Sequence, residues 1–406
     1  MIYLIVFFLI IYCVYAYDYR KYPHFQSLTY WGFFVALVVI AGLRYRIGID
    51  SIVYENYYDE MPAFWELEKF KFDSTRLEPG FMIFASIPKA ITSDFTLLQF
   101  FEAFVVNFVI FWFIKKNTPH KFLALSLYVI ALYLNLTTQV IREALAVALF
   151  LLAWPYFRDG KWLWYYLLCL LATTIHTSAL LTLLLPLACI PGVRQLFKLG
   201  WRTFFICIAI IALGFIIQAR FKDFFMMMAM NDRMAGRAEA YSNVAAGGSV
   251  MNLFGIIHTF ILYCLYPLLS IFFLRYKMKE AGNEEERTSF NKLEIVVMTG
   301  IYFTMLSIPM FIMGRYFNYF GLFGIIAISK WVSSKIYYRK RRFKVKPIYW
   351  VLILIPLYFM YFQSYMAPAN KSGTLKTYMI YYPYVTRFNP EMIPQREEIY
   401  RYNNAR

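Results

Sequence analysis

Six charged or titratable side chains lie at the ends of apolar segments that are far apart in the chain. They are Arg44, Asp50, Glu78, Arg142, His176 and Arg315. Arginine grips phosphate oxygens with paired hydrogen bonds, while carboxylates and histidine accept protons from reacting hydroxyl groups. Charged groups near a bilayer cost free energy unless they are paired or used. The set therefore predicts a site for an anionic substrate that the membrane delivers.

The composition predicts an integral membrane protein. Of 406 residues, 61% are hydrophobic and only 16% are charged, which is typical of a polytopic helical chain. The net charge of +17 does not indicate nucleic-acid binding, because much of the Lys and Arg lies in short loops between apolar runs. The five cysteines lie inside apolar runs, and the chain has too few Cys, His or carboxylate groups at ligand spacing to predict a metal.

Twelve apolar segments could cross a membrane, although several are shorter than the roughly 20 residues that a crossing helix needs. They lie near residues 1–17, 26–43, 95–114, 122–136, 142–157, 162–175, 177–191, 203–218, 253–274, 293–313, 315–333 and 347–363. The basic connectors between them can all be cytoplasmic on one condition. The short segment from Phe81 to Ile91, which Pro88 interrupts, must be re-entrant or interfacial.

This topology predicts an all-α polytopic membrane protein with about twelve transmembrane helices and both termini external. Residues 1–406 then form a single integral membrane domain with external loops 44–77 and 218–252 and an external C-terminal tail 363–406. The six side chains named first all fall on the non-cytoplasmic side. Residues 52–70 have the apolar spacing of an amphipathic helix, which would lie along the membrane surface.

Each candidate also has a purely structural interpretation. Arg44 and Asp50, in GLRYRIGID, could anchor the chain at the membrane interface, and Glu78 could stabilise the start of a helix. Arg142 could be neutralised by its neighbour Glu143, and His176 could be a hydrogen-bonded turn residue. The external YYPY run from Tyr381 to Tyr384 could belong to an interfacial belt or to a surface on which sugars stack.

Five motifs in this order resemble those of the EpsG family of polysaccharide polymerases, which are related in role to the Wzy O-antigen and exopolysaccharide polymerases. The motifs are GLRYRIGID, EPGF, IREALA, HTSAL and GRYF. The resemblance covers most of the chain. Family members often have Gly-x-Asp-Tyr where this chain has Ser51 after Asp50, and Arg-Gln where it has Glu143 after Arg142.

The resemblance implies an inverting, metal-independent glycosyltransferase at the outer leaflet of the bacterial inner membrane, with no cofactor and a fold similar to the GT-C type. The donor would be a growing glycan on undecaprenyl pyrophosphate, and the acceptor would be one repeat unit on the same lipid. Partners would be this lipid-linked glycan, the lipid bilayer, a chain-length regulator and a flippase, but no nucleic acid.

The candidate roles follow from the chemistry of a pyrophosphate leaving group. Arginines would stabilise the charge that builds on phosphate oxygens, and tyrosines would lie beside them. The binding candidates are Arg44, Arg142, Arg315, Tyr54 and Tyr316, and the candidate proton acceptors are Asp50, Glu78 and His176. We favour Asp50 among the acceptors. The alternative function is a flippase or transporter of lipid-linked oligosaccharide, which should carry charges along a path reaching both sides of the membrane.

Overall fold

The computed structural model describes residues 2–69, 77–219, 253–281, 283–332, 337–338, 341–342, 347–370 and 372–404. Most of the predicted external loop 218–252 and the end of the loop 44–77 lie outside these residues. The described chain is an all-α membrane protein, as predicted. Its strands are two antiparallel pieces of two residues each, β1 (Tyr337–Tyr338) and β2 (Arg341–Arg342).

Most of the described α-helices overlap the predicted apolar segments, whereas α3 and α16 lie outside them. In chain order they are α1 (Ile2–Cys13), α2 (Gln26–Gly42), α3 (Ser51–Glu60), α4 (Pro79–Lys89), α5 (Phe95–Asn117), α6 (Lys121–Tyr128), α7 (Ile141–Asp159), α8 (Trp162–Ile175), α9 (Pro191–Arg194), α10 (Trp201–Ala219), α11 (Leu253–Phe260), α12 (Tyr266–Ala281), α13 (Glu284–Leu306), α14 (Tyr316–Val332), α15 (Pro347–Tyr365) and α16 (Pro394–Asn404). Several helices continue as π-helical turns, at Val14–Tyr19, Val129–Tyr133, Asn135–Gln139 and Ile261–Leu265. Helices of the 3-10 type occupy Phe64–Lys69, Thr177–Cys189, Gln195–Phe197, Phe311–Arg315 and Thr377–Ile380.

The chain forms two compact units. The first unit contains Met1–Leu183 and Ile355–Ala405, and the second contains Leu184–Leu354 and Arg406. In the first unit α2 packs on α5 and α7 packs on α8. Fully buried aromatic side chains such as Phe111, Phe113 and Phe150 fill the space between these helices.

The helix ends carry the expected local signals. The Asp94 carboxylate accepts a hydrogen bond of 2.9 Å from the amide of Thr96 at the start of α5, and Lys115 and Lys116 lie in its last turn, where they complement the helix dipole. Gly160 ends α7 in the left-handed conformation, with φ at 73°. These signals mark both ends of α5 and the end of α7.

Among the described residues, four helices are long and apolar enough to cross a membrane. They are Ile2–Tyr19, Phe95–Asn117, Trp201–Gln218 and Leu253–Lys279. The count becomes five if Thr177–Cys189 and Pro191–Phe197, which are bent by 99°, form one broken span. Other helices are too short, or too polar in one half as α13 is with EEERTSFNKLE. The prediction of about twelve crossings therefore stays a prediction.

Helix α4 corresponds to the segment from Phe81 to Ile91, which is predicted not to cross the membrane. Its 11 residues extend about 16 Å at 1.5 Å per residue, roughly half of the hydrocarbon thickness. Pro79 lies in its first turn, where its missing amide hydrogen costs nothing. The depth of α4 relative to a bilayer stays a prediction.

The predicted amphipathic helix of residues 52–70 is interrupted in the structure. α3 ends at Glu60, and Met61 adopts an extended conformation with ψ at 133°. The cause is Pro62, because a proline disfavours the helical conformation of the residue before it. A separate 3-10 helix follows at Phe64–Lys69.

The segment that follows α15 is ordered and packs against the rest of the first unit. The amide of Tyr45 donates to the carbonyl of Val385 at 2.9 Å, and the amide of Arg387 donates to the carbonyl of Leu43 at 2.9 Å. Arg46 pairs with Glu397 of α16 at 3.4 Å. The predicted C-terminal tail thus packs along the loop that begins at residue 43.

Candidate functional site

Arg142 is the centre of a polar cluster in the first unit. It is the second residue of α7, and its side chain is 21% exposed. Its Nη1 donates to Glu78 Oε2 at 2.5 Å, and its Nε donates to the hydroxyl of Tyr54 at 3.0 Å. The structure thus brings together three predicted site residues from α3, α7 and the residue before α4.

Glu78 precedes α4 but makes no side-chain hydrogen bond to the start of that helix. Its side chain is 7% exposed and pairs with Arg142. The carboxylate therefore acts as a charge partner for the arginine. Arg142 correspondingly has a carboxylate partner from outside its own helix.

Asp50 and Tyr54 complete the cluster. Burial raises the pKa of the Tyr54 phenol; Arg142 opposes the shift, and the nearby Asp50 carboxylate adds to it. Tyr54 therefore keeps its proton while its oxygen accepts from Arg142. The Arg142 guanidinium also lies 5.6 Å from the centre of the Tyr54 ring. A neutral hydroxyl, a cation and two carboxylates are gathered in one place.

A glycine fixes the loop that carries Asp50. Gly48 has φ at 98°, and a Cβ atom there would collide with the carbonyl of Thr138. The Ser51 hydroxyl donates to the carbonyl of Gly48 at 2.8 Å and closes the turn. The close approach holds the loop against the residues just before α7, and so Asp50 is held near Arg142.

A second close contact brings His176 towards the cluster. A Cβ atom at Gly80, in the first turn of α4, would collide with Thr174 near the end of α8. Glu78 lies two residues before Gly80, and His176 lies two residues after Thr174. The His176 Nδ1 is 2.5 Å from the Ser178 hydroxyl and accepts a hydrogen bond from the Ser178 amide at 3.2 Å. The imidazole is thus oriented by the turn, as its structural interpretation predicts.

Arg44 has different surroundings from Arg142. Its side chain is buried, with 1% of the residue exposed, and Nη1 donates to the carbonyl of Ala41. Within the described residues its Nε and Nη2 have no hydrogen-bond partner. Burial lowers the pKa of the Arg44 guanidinium, and the Glu102 carboxylate is the main group that opposes this shift. Arg44 therefore faces the interior of the first unit.

Glu102 is a buried carboxylate that no motif in the sequence indicates. It lies in α5 with 0% of its surface exposed, and neither carboxylate oxygen has a hydrogen-bond partner in the described part of the chain. Its position inside the apolar segment 95–114 could have indicated it, because an ionisable residue within a membrane span is rare and is normally paired.

Arg315 and Tyr316 lie in the second unit. Arg315 ends the 3-10 helix Phe311–Arg315, and Tyr316 begins α14. The buried Tyr316 ring stacks on Phe303, with ring centres 4.4 Å apart. The stacking fixes the start of α14 and with it the backbone of the GRYF motif.

Two of the three tyrosines in the run from Tyr381 to Tyr384 have packing roles. Tyr381 is buried and accepts a hydrogen bond from the Gln139 side chain, while the Tyr384 hydroxyl donates to the carbonyl of Ile40 at 2.8 Å. Tyr382 is 48% exposed. Buried Tyr381 and half-buried Tyr384 are thus held to the first unit by hydrogen bonds, and the two surface roles of this run stay predictions.

An apolar cavity of about 530 Å³ borders this region of the first unit. Its walls include side chains from α1, α2, the turn after α6, α15 and the C-terminal segment. Among them are Tyr3, Leu37, Ile130, Phe362 and Tyr381. Tyr381 bonds to Gln139, three residues before Arg142. This hydrogen bond links the wall of the cavity to the segment just before α7.

Within the described residues no group of three or more His, Cys, Asp or Glu side chains could hold a metal ion. The five cysteines are free. The described polar cluster therefore offers charge and hydrogen bonds from the protein's own side chains.

Comparison with known proteins gives one result. The model of the EpsG family matches residues 27–386, which is most of the chain. This range contains all of the polar cluster as well as Arg315 and Tyr316. No curated protein and no solved structure matches the chain.

Proposed function

The chain belongs to the EpsG family, and we propose that it polymerises lipid-linked oligosaccharide repeat units at the outer face of the bacterial inner membrane. A growing glycan would pass from undecaprenyl pyrophosphate to a repeat unit on the same lipid. The family assignment supports exopolysaccharide polymerisation. The observation that carries the proposed chemistry is the Arg142, Tyr54 and Glu78 cluster, with Asp50 beside it.

In the proposed reaction, the bond between the anomeric carbon and the pyrophosphate oxygen breaks, and its electron pair stays on that oxygen. Arg142 stabilises the developing negative charge, and Tyr54 can donate its hydroxyl proton to the same group in a hydrogen bond. A preorganised donor of this kind lowers a barrier by about 2.7–4 kcal/mol. The acceptor hydroxyl forms the new glycosidic bond from the opposite side, so the anomeric configuration is inverted.

The proton of the acceptor hydroxyl requires a base. We propose Asp50, because its carboxylate lies beside Tyr54, whose hydroxyl accepts from Arg142. The pairing of Glu78 with Arg142 gives Glu78 another role. Glu78 would then be a positioning residue that orients the guanidinium. His176, near the contact between α4 and α8, stays the third candidate proton acceptor.

We propose that Arg315 and Tyr316, which lie in the second unit, also bind pyrophosphate. The support is the GRYF motif and the fixed start of α14. Arg44 would contribute indirectly, by holding the loop of Asp50 in place from the interior.

The apolar cavity of about 530 Å³ suits the hydrocarbon chain of the lipid carrier. Its walls are aromatic and aliphatic, and its edge reaches Tyr381, which bonds to the segment before Arg142. A polyprenyl chain in this cavity would keep the pyrophosphate near the arginine. The lipid-linked substrate would enter laterally from the bilayer.

The finer architecture is also part of the proposal. The whole chain would act as one integral membrane domain of about twelve crossings with GT-C-like architecture, external termini, and external loops 44–77 and 218–252. Catalysis would need no metal. A chain-length regulator and a flippase would act beside the polymerase on the same lipid-linked units.

The test is to replace Arg142 or Arg315 with Ala in cells that make the polymer. Each change should abolish long chains and cause single lipid-linked units to accumulate on the outer face, because leaving-group stabilisation is lost. The matched control is Arg158→Ala at the other end of α7, where Arg158 pairs with the exposed Asp159 at 2.8 Å. Arg158→Ala should leave chain length unchanged.

Detection of the folded, inserted proteins by size-exclusion chromatography separates loss of chemistry from loss of folding. Arg142→Lys is a second test variant. Lysine keeps the positive charge but lacks the planar guanidinium that donates to both Tyr54 and Glu78. Purified protein should still elongate lipid-linked units in the presence of a chelator. Normal chain length in Arg142→Ala and Arg315→Ala would remove the arginines from the mechanism, and dependence on a divalent ion would contradict metal-free catalysis.

A further inference from the structure

The second unit contains a polar cavity that has no part in the proposed polymerisation. Its volume is about 430 Å³, within the roughly 300–1,000 Å³ range of small-ligand pockets. It lies between the end of α12, the start of α13 and the residues before α10. Among the described residues, its charged lining consists of Lys198, Arg275, Lys279, Arg287 and Glu294.

The carboxylate in this cavity is already engaged. Glu294 Oε1 pairs with Arg275 and accepts a hydrogen bond of 3.0 Å from the amide of Leu199. Arg275 also donates to the carbonyl of Leu199. These contacts join α12 and α13 to the segment before α10, so they build the wall of the cavity and neutralise one of its positive charges.

The remaining cations face the cavity without a neutralising partner. Arg287 donates to the carbonyls of Met278 and Lys279 at 3.0 and 3.3 Å, which are neutral acceptors in the last turns of α12. In the part of the chain that the structure describes, the side chains of Lys198 and Lys279 have no hydrogen-bond or ion-pair partner. The described lining therefore carries an excess of three positive charges.

We propose that this cavity binds a phosphate group, carried either by an anionic lipid head group or by a soluble phosphorylated molecule. Two flexible ammonium groups and a guanidinium are the donors that phosphate oxygens prefer, and Asn291 adds an amide to the lining. Basic pockets between membrane helices bind anionic head groups in this way. The acidic first turn of α13, Glu284 to Glu286, is not part of the lining.

The site shares no residue with the Arg142 cluster, because all of its lining residues belong to the second unit. The basic connectors that supply Lys198, Arg275 and Lys279 are those that the sequence predicts to be cytoplasmic. Binding there does not depend on the polymerase activity. It would let the cytoplasmic leaflet, or a cytoplasmic metabolite, stabilise the junction of α12 and α13.

The experiment compares the full-length protein with two double variants of equal charge. Lys198→Gln with Lys279→Gln removes the two unpartnered cations and breaks no contact among the described residues. The control, Lys277→Gln with Lys161→Gln, makes the same charge change outside the lining. In the first arm, native mass spectrometry measures retained phosphatidylglycerol after release from nanodiscs of phosphatidylglycerol and phosphatidylcholine. In the second, titration with inorganic phosphate is followed in neutral detergent without lipid.

We expect about tenfold weaker binding in the Lys198 and Lys279 variant than in the wild-type and control proteins. This ranking in the phosphatidylglycerol arm identifies a lipid head group, and the same ranking in the phosphate arm alone identifies a soluble ligand. Equal binding by all three proteins in both arms, or binding by none, overturns the proposal.

Discussion

At the scale of single residues, two arginines of the first unit have opposite environments. Arg142 is partly exposed, and its guanidinium donates hydrogen bonds to the Glu78 carboxylate and the Tyr54 phenol. Arg44 is buried, and its main electrostatic partner is the buried Glu102 carboxylate. The sequence predicted both as pyrophosphate ligands because both follow or begin apolar segments. It could not separate them, because the difference lies in Glu78 and Glu102, which are distant in the chain.

Tyr54→Phe tests the hydroxyl that accepts from Arg142. A hydrogen bond to a charged group contributes about 1.5–3 kcal/mol, so we expect the elongation rate to fall by about 10- to 100-fold. The matched control is Tyr58→Phe, one turn further along α3, whose hydroxyl donates to the carbonyl of Thr92 at 3.0 Å. Its loss should lower the free energy of unfolding by about 1 kcal/mol and leave the rate unchanged. Equal rates for the two variants would exclude a catalytic contribution from Tyr54.

Glu102→Leu tests the buried partner of Arg44. The change leaves a buried cation without compensation, and it should lower the free energy of unfolding by about 3–5 kcal/mol. Combining it with Arg44→Met removes the isolated charge and should recover most of that loss. Denaturant unfolding of the purified proteins in detergent measures both. If the two losses simply add in the double variant, Arg44 and Glu102 do not interact.

At the scale of elements, the site depends on loops held by close backbone approaches. The sequence predicted the apolar helices, since continuous hydrophobic runs specify them locally. It did not predict that Gly48 lies against Thr138 or Gly80 against Thr174, because these contacts join segments about ninety residues apart. It predicted one amphipathic helix over residues 52–70, whereas Pro62 ends α3 at Glu60 and a separate 3-10 helix follows.

Gly48→Ala tests the loop that carries Asp50. A Cβ atom must displace the carbonyl of Thr138, and a displacement of about 1 Å at a reacting group can cost about 100-fold in rate. We expect elongation to fall by that order. Gly160→Ala is the control, because Gly160 also has a positive φ but has nothing within 4 Å of the added atom. It should cost about 1–2 kcal/mol of stability without a change in elongation. A normal rate in Gly48→Ala would show that the loop is not needed for catalysis.

At the scale of the whole molecule, the presence of a helix does not by itself show that the helix crosses the membrane. Each predicted apolar segment contains a helix, but only four or five of the described helices pass a length and composition test for crossing. Short and bent helices can cross when neighbours satisfy their backbone groups. That property depends on packing, which no local pattern in the sequence specifies.

A reporter fused after Lys116 tests the predicted orientation. If α4 does not cross, the end of α5 is cytoplasmic, so a green fluorescent protein at this point should fluoresce and an alkaline phosphatase should be inactive. The opposite result is expected for fusions after Asn404, since the C-terminus is predicted to be external. An active phosphatase after Lys116 would mean that α4 crosses the membrane or that the first helices are inverted.

The first unit is assembled from both ends of the chain, and this has a consequence for biosynthesis. Tyr45 and Leu43 pair with Val385 and Arg387, which the ribosome adds more than three hundred residues later. The early helices must therefore stay in the membrane without their C-terminal contacts until the whole second unit has been synthesised. A nonsense codon before residue 385 should remove the strand-like support of the Arg44 loop even though every helix of the early part has been made.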